Sequence, residues 1–145
     1  MEKNIEILRK CMLFYGMSDE NITKMLTCLG VKVKSFDKLE TVISEGECIR
    51  DIGIVLCGML QIERTDYYGN RSIVANVESS ELFGEAFACA DIDAIPVDVV
   101  AVKPTRIMFL ECSKIMKICN NTCEFHHLII YNLMKIIATK NIMVH

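Results

Sequence analysis

The chain has no excess of basic residues: 16 Lys and Arg stand against 19 Asp and Glu, a formal charge of −3 with pI about 5.6. That balance excludes a polypeptide that grips nucleic-acid phosphates by itself. No apolar run reaches the roughly 18 residues a membrane helix requires, because polar or charged side chains interrupt every candidate. The charged opening MEKNIEILRK, followed only by the short CMLFYGM run, lacks the form of a secretory signal peptide. Machinery for catalysis is equally thin. There is no GxSxG elbow, HExxH pair or phosphate-cradling GxxxxGK loop, and of three His two are adjacent and one is terminal.

Apolar residues are not scarce, at 52% of 145 residues with a mean hydropathy of +0.31. This exceeds what one small core needs, so a subunit or domain interface is expected to take the surplus. The eight cysteines are read as mostly reduced thiols of a cytoplasmic protein, because a disulfide framework belongs to secreted, core-poor chains.

Periodicity divides the chain into three parts. From Asn4 to Leu13, apolar Ile5, Ile7, Leu8, Met12 and Leu13 recur at helical spacing, and Ser18 with Asp19 and Glu20 starts a second helix that Gly30 ends. From Val31 the period falls to about two. VKVKSF, ETVISEGE, IGIVLCG, MLQIERT, RSIVANVE, VDVVAV and TRIMFLE are short runs separated by turn-forming residues. Leu60 and Ile62, and likewise Ile73, Ala75 and Val77, alternate with polar neighbours as in half-buried antiparallel strands joined by the YYGN hairpin. Seven or eight such strands predict a sandwich, jelly roll or barrel.

After Cys112 the period is helical again, in a short helix from Ser113 to Ile118 and a long one from about Glu124 to the end. In the long helix Ile129, Leu133, Ile136 and Met143 form one seam and Ile130, Met134, Ile137 and Val144 the adjacent one, with Tyr131, Asn132, Lys135 and Thr139 on the wet side. So wide an apolar arc predicts a helix held between its own domain and a partner's helix. The expected division is therefore 1–112, helices and β-roll, and 113–145, closing helices, within one structural domain overall.

The segment ELFGEAFACADIDAIPV carries the most chemistry. Phe83 ends a strand, Gly84 lets backbone approach a ligand, and Glu85 opens a short turn through Ala86 and Phe87 where its carboxylate accepts hydrogen bonds from a hydroxyl-bearing ligand. The alternative for FGE alone is a strand-to-helix corner capped by Glu. A second candidate is CNNTCEFHH at 119–127, where Cys119, Cys123 and His126 offer soft thiolate and imidazole ligands, though at no standard metal-site spacing. Its structural alternative is a packed helix corner.

Taken together, the LFYGMSDENITKML entry helix, EGE at 45–47 before IGIVLCGMLQI, the GN hairpin at 69–70, FGEAFA, the VDVVAV and TRIMFLE pair and the closing helix with ATKN at 138–141 fall in one order. In that order the chain resembles the N-terminal effector-sensing half of a Crp/Fnr-type transcription regulator. The resemblance implies a mainly β fold with flanking helices: an antiparallel double-stranded β-helix, or jelly roll, of the cyclic-nucleotide-binding type, plus a long dimerisation helix. It implies a non-catalytic role, a homodimer through the seams named above, and a helix-turn-helix DNA-binding domain beyond residue 145. An effector site at Phe83, Gly84, Glu85, Ala86, Phe87, Pro96 and Val97 follows from it.

The chain departs from the family's cyclic-nucleotide binders at one point. Where they carry Arg and then Ser or Thr to hold the cyclic phosphate, this sequence reads Ala94, Ile95, Pro96, Val97, with Asp91, Asp93 and Asp98 around it. Loss of that pair costs several kcal/mol, about three orders of magnitude in affinity. Tight binding of cyclic AMP or cyclic GMP is therefore disfavoured, and the effector is left as another small molecule. Beside this reading stand a metal or redox sensor through Cys119, Cys123 and His126, and an interaction module with an empty pocket.

Overall fold

The computed structural model describes residues 2–117 and 125–144, leaving the side chains of residues 2, 3, 143 and 144 undescribed. Cys119 and Cys123 lie outside the described residues, as do the side chains of Met143 and Val144.

Two helices open the chain: α1 (Glu2–Lys10) and, after a 3-10 turn at Met12–Phe14, α2 (Asp19–Leu29). The Ser18 hydroxyl accepts from Asn21 N (3.3 Å) and Gly30 closes α2 at φ 61°, so both ends fall where the sequence places them. Eight strands follow: β1 (Lys32–Phe36), β2 (Thr41–Ile43), β3 (Asp51–Cys57), β4 (Met59–Thr65), β5 (Arg71–Glu78), β6 (Leu82–Phe83), β7 (Asp98–Ala101) and β8 (Thr105–Glu111). Helix α3 (Glu85–Ala90) interrupts them, and α4 (Cys112–Met116) and α5 (His126–Val144) follow. The strands form two antiparallel four-stranded sheets, β1-β8-β3-β6 and β2-β7-β4-β5, the expected mainly β jelly roll with flanking helices.

The near-continuous apolar run of β3 has a structural cause, since both faces of the strand are buried. Ile52, Ile54 and Leu56 join Met108 and Leu110 of β8 under the helices, against Leu8, Phe14, Ile22, Leu26, Ile115, Ile129 and Leu133. Val55, on the other face, enters the core between the sheets with Leu60, Phe83, Ile95, Val97, Val99 and Ile107. Gly53 is required there: a Cβ on it would stand 2.2 Å from Phe83 Cε1.

The expected alternation of β5 needs correction. Strand β5 is a sheet edge with only Val77 buried, and Ile73 and Val74 are 60% and 51% exposed. A register shift between Ile62 and Glu63 accompanies this departure. In the hairpin, Gly69 alone takes positive φ (85°), and Asp66 does the organising: its carboxylate accepts from Tyr68 N (2.9 Å) and Asn70 N (2.8 Å). The Asn70 amide leads the contacts that hold the Asp66 carboxyl below its ordinary range.

Helix α5 also differs from its predicted pattern. Ile129 and Leu133 are 0% and 1% exposed within their own domain, which removes them from the surface open to a partner. Asn132, expected on the wet side, is buried and donates to Leu13 O (3.0 Å) and Tyr15 O (2.9 Å), satisfying carbonyls of the corner between α1 and α2.

Candidate functional site

The turn between β6 and α3 is fixed from below by β3. Phe83 pairs with Gly53 and Leu82 with Ile54, after which Gly84 takes φ 78° and reverses the chain into α3. A side chain at Gly84 would press Ile49 Cδ1 at 3.1 Å, so its backbone also sits close to the segment before β3. Helix α3 ends at Asp91 (φ 59°), whose carboxylate meets Arg50 at 3.0 Å.

Glu85 is buried at 3% exposure, and its Oε1 is paired with Lys140 Nζ from α5. The same ammonium donates to Leu82 O at 2.8 Å. Among the described residues, Glu85 Oε2 has no hydrogen-bond partner. A buried carboxylate is tolerated when a cation faces it, and Lys140 is that cation. Sequence patterning could not single out Lys140, because a Lys near the end of an amphipathic helix is ordinarily a solvated residue.

The other predicted site residues divide by burial. Phe83 and Val97 are buried in the inner core with Ile95, Phe87 packs half-buried against that core, and Ala86 and Pro96 are exposed. Phe83 also meets Phe109 edge-on, with centroids 6.2 Å apart. The interior beside Phe83, where the effector site is expected, is thus occupied by side chains at this point. Residues 94–97 are pinned to the turn before β3 by Ile95 N donating to Glu47 O and Gly46 N to Ile95 O, both at 2.9 Å.

Around this segment the charges are acidic or already engaged. Asp98 Oδ1 accepts from Glu45 N at 2.7 Å. Of Arg50, Arg64, Arg71 and Arg106, which could replace the missing arginine, Arg50 pairs with Asp91, Arg71 lies 3.2 Å from Glu63 and 3.9 Å from Asp98, Arg106 donates to Asn4 Oδ1 at 3.1 Å, and Arg64 is exposed on β4. A groove of about 320 Å³ adjoins this region, where Phe36, Phe109 and Lys34 of β1 and β8 face Glu47 and Ile49.

Of the second candidate cluster, His126 is described: it is buried, and its Nε2 bonds Ile115 O at 2.5 Å. Among the described residues, no three His, Cys, Asp or Glu side chains are grouped to hold one metal ion. No described helix is long and apolar enough to cross a membrane.

Residues 33–122, more than half of the chain, match the cyclic nucleotide-binding domain family, and the chain belongs to that family. It is similar in fold to the N-terminal domain of a transcriptional regulator from Streptomyces coelicolor A3(2), with 19% identity and TM-score 0.77 over 96% of this chain and 95% of the other. The Thermus thermophilus catabolite activator protein has the same identity and TM-score over 92% of this chain, which spans 59% of that one. The sensor domain of the transcriptional regulator DNR from Pseudomonas aeruginosa matches at 18% identity and TM-score 0.73, over 93% of this chain and 86% of its own. No curated protein matches significantly.

Proposed function

We propose that this domain is the small-molecule sensor and dimerisation unit of a Crp/Fnr-type transcription regulator, non-catalytic and cytoplasmic. It would act on DNA only through a helix-turn-helix domain beyond residue 145. The observation that carries this reading is the bond between Glu85 and Lys140, which joins the turn where the family places its effector to the helix that would relay the signal. Glu85 keeps Oε2 uncommitted, available to a ligand hydroxyl. The filled core at Phe83, Ile95 and Val97 means that ligand entry requires movement of α3 or of residues 91–96. Entry and signal are then one event, a shift between two populations that only a ligand with differential affinity produces.

The absence of an arginine at residues 94–97, with Arg50 and Arg71 held by carboxylates, argues against a cyclic phosphate as the effector. For the dimer seam, the surface with room for a partner is the exposed stripe of Met134 and Ile142, with Ile130 and Ile137 half-buried beside it. A groove of about 520 Å³ lined by Ile130, Tyr131, Met134 and Ala138 runs along it.

A thermal-shift panel of nucleotides, small acids and aromatic compounds tests the effector reading. At least one compound should raise Tm at micromolar concentration and lose that effect in Glu85→Gln, while cyclic AMP leaves Tm unchanged. Stabilisation by micromolar cyclic AMP would overturn the argument from Ile95 and Pro96.

A further inference from the structure

We infer that Cys89 and Cys112 form a redox-modifiable dithiol, at which a hydroperoxide converts two thiols into one intrachain disulfide. Their Sγ atoms stand 3.2 Å apart although the residues are 23 positions apart in sequence. Closing to the S–S bond length of about 2.05 Å asks for a movement of only about 1 Å. Cys89 lies in the last turn of α3 and is half-buried, the more exposed residue of the pair. Cys112 begins α4, is 6% exposed, and is anchored by its own N–H to Arg50 O at 3.0 Å.

The two sulfurs are inequivalent in the way this chemistry needs. Hydrogen bonding from Cys89 brings the Cys112 thiol down to about 7, against burial and the charge of Asp91. The same contact, burial, and the charges of Cys112 and Glu85 hold Cys89 well above its ordinary range. One thiolate forms near neutral pH while its neighbour keeps a proton, which supplies a nucleophile and a resolving thiol in contact. Cys11 makes the contrast: buried against apolar neighbours, it is pushed up to about 11.

In the first step the thiolate attacks one peroxide oxygen, the O–O bond breaks, and an alkoxide or hydroxide leaves with the electron pair. The attacking sulfur becomes a sulfenic acid. The neighbouring thiol then loses its proton and attacks that sulfur, forming the S–S bond as the sulfenic hydroxyl departs as water. Two thiols and one hydroperoxide give one disulfide, one water and one alcohol, or two waters when the oxidant is hydrogen peroxide. The bond would tether α3 to α4 beside the turn that holds Glu85. It does not depend on what the effector is.

The test treats the reduced chain with one equivalent of hydrogen peroxide at neutral pH, blocks remaining thiols with iodoacetamide, and maps the peptides by mass. The expected product is a dithiothreitol-reversible cross-link between the Cys89 and Cys112 peptides, dominant over every other cysteine pair. Its initial rate should fall about tenfold per pH unit below 7, with the thiolate fraction. Cys89→Ser, at the half-buried position, should abolish it and leave Cys112 alkylated or as a sulfenic acid. Recovery of both cysteines as alkylated thiols in the unmutated chain would overturn the assignment, as would a dominant disulfide elsewhere. The unmutated chain alone decides between these outcomes, so a folding defect in a variant does not blunt the test.

Discussion

Lys140 of α5 donates to both the Glu85 carboxylate and the Leu82 carbonyl, one ammonium spanning the first residue of β6 and the first residue of α3. Its two acceptors lie 55 and 58 positions away in the chain. Because Glu85 is buried and Lys140 about half exposed, removing the cation leaves a carboxylate that water reaches only in part. Lys140→Met should lower stability by about 1–3 kcal/mol, discounted from a fully buried pair. A double-mutant cycle with Glu85→Gln should return a coupling of about 1 kcal/mol or more in chemical denaturation. Additive losses would mean that the two side chains do not support each other.

Gly53→Ala is expected to cost about 1–3 kcal/mol, because its methyl group would overlap the Phe83 ring. Phe83→Leu in the same background should recover part of that loss by vacating the space. Urea midpoints of the parent, the two single variants and the double variant decide it. If Gly53→Ala leaves the midpoint where it was, the ring is not held over the glycine.

The buried amide of Asn132 makes a separate prediction. Asn132→Leu keeps approximate volume but leaves Leu13 O and Tyr15 O without their donor, a loss of about 1–3 kcal/mol. Amide hydrogen exchange should rise first in α1 and the 3-10 turn, the segments this side chain ties to α5.

Alkaline stability should report Cys11. Its thiol is raised from 9.0 to about 11 by burial, so the unfolded chain loses this proton while the folded chain still holds it. The unfolded state then binds fewer protons, and stability falls as pH rises from 9 to 11. The contribution, present in full below the unfolded value, amounts to about 2–3 kcal/mol. Comparing Cys11→Ala with the parent by denaturation about one pH unit below the unfolded value and again near the folded one should show the variant's deficit shrinking at the higher pH. A constant deficit would refute the titration.

Met134 is 66% exposed on the stripe assigned to the dimer seam. Met134→Lys should leave Tm of the isolated subunit within about 1 °C while shifting sedimentation from dimer to monomer at micromolar concentration. A parent chain that sediments as a monomer would remove the seam from the functional reading.

Most of the fold was legible because its signals are local. Ser18 and Gly30 each report a geometry decided within a few residues. Strand β5 misleads for the opposite reason: Ile73 alternates correctly, but whether a face is covered depends on what packs against a sheet edge. Ile129 and Leu133 likewise belong to an apolar arc that does not itself state which side meets its own roll. In the candidate site, Phe83 to Phe87 were visible from the turn chemistry, whereas Lys140 and the Cys89–Cys112 contact arise from topology that brings distant segments together.

Strand β3 serves as a party wall, with one row of side chains rooted among the helices and the other between the sheets. Loosening on either side is therefore felt across a single backbone thickness. Trimming the chain after residue 112 would strip Ile115, Ile129 and Leu133 from the outer row, and the roll left behind would melt with its helices rather than outlast them.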